Sequence, residues 1–265
     1  MFVSIKKLIS NSKQVRQYLS NRKFKKDLWG PLKVQKSDVF LVSYPRSGSN
    51  MLRKIITDYY TRVYKNDTID DFDSARILMP NLAIENLEQI NELTPPRLIK
   101  THWKYPVENM PRVVYVYRDG RDVYRSFYAY RKHHYGLTLS FSKFLSLIIL
   151  EENNSWSNHC KAWIDFKNKK NIIFLKYEDL INTHAREKEL ERLFTFLNWE
   201  INQMVIKKVL KGVDIDVMKV NPKNDSVVIK DNSEKEKHEL FDDRAWSIFN
   251  KYEQKTLQFL GYHDS

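Results

Sequence analysis

The stretch Tyr44-Pro45-Arg46-Ser47-Gly48-Ser49-Asn50-Met51-Leu52 joins one fixed cation to hydroxyl side chains and a glycine, directly before an amphipathic segment. These residue types suit the binding of an anion. The first N–H groups of a helix have no partner inside it, and its dipole favours negative charge at that end. Gly48 lets a ligand approach the backbone, Ser47 and Ser49 supply hydroxyl donors, and Arg46 supplies a planar group that stays charged. The stretch lacks the Lys-Ser or Lys-Thr with which a loop of the form G-x-x-x-x-G-K-[ST] holds a γ-phosphate and magnesium. The expected ligand is a phosphate-type donor other than ATP.

Three further segments carry groups that would serve such a donor. Lys100-Thr101-His102 sets an imidazole, able to take a proton from a hydroxyl, near an ammonium able to stabilise a leaving oxygen. Arg118 ends an apolar run, and Ser126 follows in a helical pattern that can turn its hydroxyl back to the same point; the pair can hold a second phosphate. Tyr177 in Lys176-Tyr177-Glu178-Asp179 can stack on a base or donate its hydroxyl. Each feature alone also has a structural reading. In that reading Arg46 is solvated in a serine-rich turn, Asp119 or Asp122 pairs with Arg118 or Arg121, His102 closes a strand, and Tyr177 packs at a turn. Their common position, each at a predicted strand end, favours the functional reading.

The elements that must position these groups are legible as patterns. Val39 to Ser43, Arg97 to Thr101, Arg112 to Tyr117 and Asn171 to Lys176 read as buried strands. Met51, Leu52, Ile55, Ile56, Tyr59, Tyr60 and Val63 mark one face of a helix. Further helices are expected over Asp122 to Arg131, around Trp156, Cys160 and Trp163, over Thr183 to Leu197, and from Asp242 to Leu260. The alternation predicts an α/β fold, a mostly parallel central sheet flanked by helices. Ligands of such sheets sit beyond the carboxyl ends of the strands. Breaks fall at Pro95-Pro96 and Asn221 to Asp225, and the charged stretch Lys230 to Glu239 reads as a loop. The 265 residues suit a single domain, with residues 1–36 as a basic N-terminal extension of unknown role.

The chain carries 45 Lys and Arg against 33 Asp and Glu, a net charge of +12, which predicts an anionic partner. Cys160 is the only cysteine, so an internal disulfide is excluded and a reducing compartment expected. The N-terminus lacks the pattern of a secretory signal. The apolar run Phe144 to Leu150 is far short of the ~20 residues of a membrane span. The expectation is a cytoplasmic protein with no stable membrane insertion. No spacing suggests a metal site, and the neighbours His133 and His134 point apart on a helix.

In order along the chain, these segments resemble the sulfotransferases that use 3′-phosphoadenosine 5′-phosphosulfate (PAPS) and release 3′-phosphoadenosine 5′-phosphate (PAP). The first loop is similar to the family's Y-P-[KR]-S-G segment, and Arg118 to Ser126 falls in a segment similar to its Y-R-D-G-R-D-V signature. Lys100-Thr101-His102 resembles the K-T-H tripeptide, Tyr177-Glu178-Asp179 the Y-E-D segment, and Ser155-Trp156-Ser157-Asn158-His159 with Trp163 the S-W-x-x-H…W helix. Met218-Lys219-Val220-Asn221-Pro222 resembles M-K-x-N-P, and Leu260-Gly261-Tyr262 gives a fainter match.

The resemblance implies a P-loop-like sulfotransferase architecture with His102 as base and Lys100 and Arg46 aiding departure of the donor. It implies a 5′-phosphosulfate site at Arg46, Ser47, Gly48, Ser49, Asn50 and Met51. Arg118 and Ser126 would hold the 3′-phosphate, and Tyr177 would approach the adenine. PAPS would act without a metal, on a small-molecule or carbohydrate acceptor and not on nucleic acid. Three departures stand out. Arg46 replaces a lysine of the soluble branch and gives an R-S-G-S form similar to the carbohydrate sulfotransferases. Met51 and Ile215 stand where that branch has aromatic residues, and its R-K-G loop is not recognisable, with Lys230 nearest by count. Two alternatives stay open: a P-loop-type kinase or NTPase, and a basic polyanion-binding module resting on Arg22 to Lys26 and Lys167 to Lys170.

Overall fold

The structure, a computed structural model, describes residues 32–82, 87–104, 110–151, 155–166, 170–214 and 240–263. The expectations placed on residues 1–31, 167–169, Ile215, the segment Met218 to Pro222 and the stretch from Lys230 to Glu239 lie outside the described residues.

Four strands, β1 (Val39–Ser43), β2 (Leu98–Thr101), β3 (Val113–Tyr117) and β4 (Ile172–Lys176), form one parallel sheet in the order β2-β1-β3-β4. Every residue of β1 is buried, as expected of a central parallel strand covered on both faces. Arg97, Arg112 and Asn171 lie just outside the strands they were expected to open. Each still lends its carbonyl to a neighbouring strand, accepting from Val39, Phe40 and Val113 at 2.9, 2.9 and 2.8 Å.

The helices are α1 (Ser49–Tyr64), α2 (Phe72–Leu78), α3 (Leu87–Glu92), α4 (Gly120–Tyr135), α5 (Phe141–Ser146), α6 (Trp156–Ile164), α7 (Tyr177–Ile181), α8 (Arg186–Phe196), α9 (Gln203–Lys211), α10 (Asp243–Tyr252) and α11 (Gln254–Phe259). The period-2 alternation of β1 sorts the core. Val39 and Leu41 join Leu52, Ile55, Ile56 and Tyr59 of α1 and Leu193 and Phe194 of α8 on one face. Phe40 and Val42 join Ile99, Tyr115 and Trp163 on the other. A third apolar cluster binds α4, α5, α6, α10 and α11 around Tyr44. It absorbs Tyr124, Phe127, Tyr128, Phe144, Leu145 and Ile148, so these residues fill core.

Tyr177, which follows the fourth strand as expected, opens the short α7. The single helix expected from Asp242 to Leu260 is broken at Glu253, whose carboxylate turns inward to accept the Ser157 N–H at 2.7 Å and the Tyr124 hydroxyl at 3.2 Å. Burial pushes that acid up to about 7, against the lowering effect of these donors. The remote S-W helix is thus capped across the fold, and Trp156 packs so close to Gly120 that a Cβ there would lie 2.8 Å from its ring.

Candidate active site

Strand register brings the candidate residues to one edge. Val42 pairs with Thr101, Ser43 with Val116, and Tyr117 with Lys176. The residues that follow, Tyr44 to Ser49, His102, Arg118 and Tyr177, therefore leave the sheet at the same end, the end at which parallel α/β sheets bind ligands.

The loop after β1 is shaped by its backbone. Arg46 and Gly48 both adopt positive φ, 72° and 92°. The Tyr177 ring lies against Gly48 so tightly that a Cβ at that position would be 2.1 Å from Cδ2. The first intrahelical bond of α1 runs from Leu52 N–H to Gly48 O at 3.2 Å, so the N–H groups of Ser49, Asn50 and Met51 precede the helical ladder. Among the described residues no side chain caps this helix. Ser47 is fully buried, and its Oγ has no hydrogen-bond partner among the described residues. A buried hydroxyl left so is costly unless a ligand completes it. Met51 turns its side chain into the apolar core, so only its backbone faces the loop.

Arg46 crosses to α4. Its Nε donates to Ser126 Oγ at 3.1 Å, and its guanidinium lies 4.8 Å from the centre of the Tyr130 ring. Ser126 and Tyr130 are four residues apart and share a helix face. Both of these groups are neutral, and together they fix the guanidinium against one face of α4. Burial, with the Arg118 charge nearby, lowers its pKa against the opposing effect of Tyr130. Arg118 lies 4.6 Å from the Tyr177 ring centre and 3.5 Å from Asp122. The structural pairings weighed in the sequence are thus present, Arg118 with Asp122 and Arg121 with Asp119 at 2.7 Å, but they leave Arg118 at the strand mouth.

His102 is fixed by the backbone. Its Nδ1 lies 2.8 Å from the Ser43 carbonyl, which can only accept, so Nδ1 carries the proton and Nε2 keeps its lone pair. Burial, then the charge of Lys100, lowers the imidazole pKa well below its ordinary value, which keeps the ring neutral. Lys100 is buried and donates to Asn50 Oδ1 at 2.6 Å. Burial, then the charges of Arg53, Arg46 and Arg76, pulls its pKa down. Arg53 also reaches Asn50 Oδ1, at 3.3 Å.

The structure therefore brings together Arg46 through Asn50, Lys100, His102, Arg118, Ser126 and Tyr177, whereas the candidate Met51 turns its side chain away into the core. Tyr130 beneath Arg46, Ser43 behind His102 and Asn50 between two cations are partnerships the sequence did not signal, because each joins residues from different elements. Trp163 Nε1 donates to Trp103 O at 3.0 Å and so ties α6 to the segment after the histidine. Among the described residues no group of three or more His, Cys, Asp or Glu side chains could hold a metal, and no helix is long and apolar enough to cross a membrane.

Comparison with known proteins places the chain and its fold. The sulfotransferase domain family matches residues 36–255. Dog (Canis lupus familiaris) sulfotransferase 1B1 is 27% identical over 209 residues, covering 70% of this chain and 67% of the relative. Bovine (Bos taurus) sulfotransferase 1E1 is 26% identical over 217 residues, covering 73% of this chain and 70% of the relative. Among solved structures, a mouse sulfotransferase complexed with PAP superimposes with a TM-score of 0.67 at 21% identity, over 88% of this chain and 90% of the other. A retinol dehydratase in a complex with retinol and PAP gives 0.66 at 17% identity, over 94% and 88%. At these identities the structures establish likeness of fold.

Proposed function

The chain belongs to the sulfotransferase domain family, and from that we propose that it moves a sulfuryl group from PAPS to a hydroxyl or amine of a small-molecule or carbohydrate acceptor. The observation that carries this reading is the 2.8 Å contact between His102 Nδ1 and Ser43 O, from which the proton is assigned to Nδ1 and Nε2 is left to accept. As the acceptor oxygen bonds to sulfur, its proton passes to Nε2. The bond from sulfur to the bridging oxygen of the 5′-phosphate breaks, its electron pair stays on that oxygen, and PAP leaves.

Arg46, Lys100 and the first N–H groups of α1 are assigned to the 5′-phosphosulfate, where charge gathers as that bond breaks. The unpartnered Ser47 Oγ and the compact Gly48 turn support the fit of such an anion. Arg118 and Ser126 are assigned to the 3′-phosphate, and Tyr177 to the adenine side. Arg118 Nε is buried without a hydrogen-bond partner among the described residues, which suits an acidic ligand. The lone, buried Cys160 supports action in a reducing, cytoplasmic setting.

A thermal-shift comparison of PAP, AMP, ADP and ATP tests the donor, and transfer of labelled sulfate from PAPS across a set of hydroxyl and amine acceptors tests the reaction. PAP should stabilise the protein most. Stabilisation by ATP with magnesium, and none by PAP, would replace the reading by a kinase or NTPase.

A further inference from the structure

The ladder between β3 and β4 ends with Tyr117 opposite Lys176, yet the groups that matter, Arg118 and Tyr177, lie one residue beyond it. Something past the sheet must hold these two residues in register. The Glu178 carboxylate spans the gap. One oxygen accepts the N–H of Asp119, the residue next to Arg118, at 3.0 Å, and the other accepts the Tyr262 hydroxyl at 2.8 Å. Both are bonds to a charged acceptor, the stronger kind.

Tyr262, near the C-terminus, is itself clamped to both strand ends. Lys176 Nζ lies 4.2 Å from its ring centre, and the Tyr117 ring meets it edge-on at 6.4 Å. The next residue, His263, accepts from Arg121 Nη2 through its carbonyl at 3.2 Å. The phenol stays protonated as a donor, because burial and the adjacent Glu178 raise its pKa.

We propose that Glu178 and Tyr262 are a positioning pair that fixes the Arg118–Tyr177 stack, so that the C-terminal end of the chain sets selectivity for a nucleotide bearing a 3′-phosphate. This rests on the donor reading above. Neither residue touches the ligand; each acts through Arg118 and Tyr177.

Calorimetric binding of PAP and AMP to the full chain tests the pair, since the two ligands differ only in the 3′-phosphate. Tyr262→Phe keeps the ring contacts and deletes one hydrogen bond. It should weaken PAP by about fivefold while AMP changes by less than about twofold. Glu178→Gln, of the same size, should narrow the PAP-to-AMP ratio in the same direction. Equal losses for both nucleotides, or an unchanged ratio in both variants, overturn the pair and leave the donor reading intact. A wild-type chain that binds PAP and AMP alike overturns the donor reading and the pair together.

Discussion

The ring of Tyr177 occupies the space that a side chain at residue 48 would need: a Cβ on Gly48 would lie 2.1 Å from Tyr177 Cδ2. The turn after β1 and the start of α7 are thus built against each other, and the proposed phosphate loop has its shape fixed from the far strand. Gly48→Ala must displace Tyr177 and hold an L-residue at φ 92°. The substitution should destabilise the fold by about 1–3 kcal/mol and weaken PAP more than tenfold, of order the cost of lost positioning. Isothermal calorimetry with urea unfolding checks both, and PAP binding at wild-type strength would show the turn to be irrelevant to the donor.

His102→Ala should leave PAP affinity nearly intact and lower turnover ~10²-fold or more. Loss of PAP binding with unchanged kcat would move His102 from base to ligand holder.

The pH profile carries the same assignment. A base acts only when unprotonated, and burial with the Lys100 charge lowers the His102 pKa. The acid limb of kcat/KM for the donor, which reports the free enzyme, should therefore lie below pH about 6.5 and vanish in His102→Gln. A limb above that value, or one that survives the substitution, would contradict the assignment.

At the opposite, N-terminal end of the strands, Arg97 and Asp38 form a fully buried pair with Nη2 and Oδ2 at 2.6 Å. Arg97 also donates to Lys33 O and Ile90 O, at 2.6 and 3.2 Å. Arg97→Met strands the carboxylate and should cost about 3–5 kcal/mol in denaturant unfolding, with the PAP-to-AMP ratio unchanged. A loss under about 1 kcal/mol would show that the site relaxes to hydrate Asp38.

Glu253 adds a pH-dependent stability term. Its pKa in the fold, about 7, stands above the ordinary value of 4.5, so the folded state binds the proton more tightly. The resulting stabilisation is complete below pH 4.5 and is lost as pH rises towards 7, amounting to about 3 kcal/mol. Between pH 5 and 8 the wild type should lose stability relative to Glu253→Gln, which has no proton to shed. Parallel curves for the two proteins would sink this assignment.

What the sequence made legible were local patterns with one dominant cause. The strands are short runs of β-branched and aromatic residues, and the candidate residues are legible because a parallel sheet gathers whatever follows its strands. Groups that act across the fold left no such trace. Glu178 and Tyr262 are 84 residues apart, and Glu253 and Ser157 are 96. The helical period runs through Glu253 unbroken in the sequence, yet in the fold the helix breaks there and the carboxylate reaches a distant helix N-terminus. Met51 shows the converse: its place in the loop suggested a ligand contact, but helix phase turns the side chain into the core.

The central claim is that the strand mouths hold a nucleotide by two separate anions. It is tested most directly by calorimetry of PAP and AMP on the wild type and on Arg118→Ala. The account predicts that the wild type prefers PAP by more than about tenfold and that Arg118→Ala loses most of that preference while AMP binding barely changes. A wild type without preference, or an Arg118→Ala variant that weakens both nucleotides alike, would contradict it.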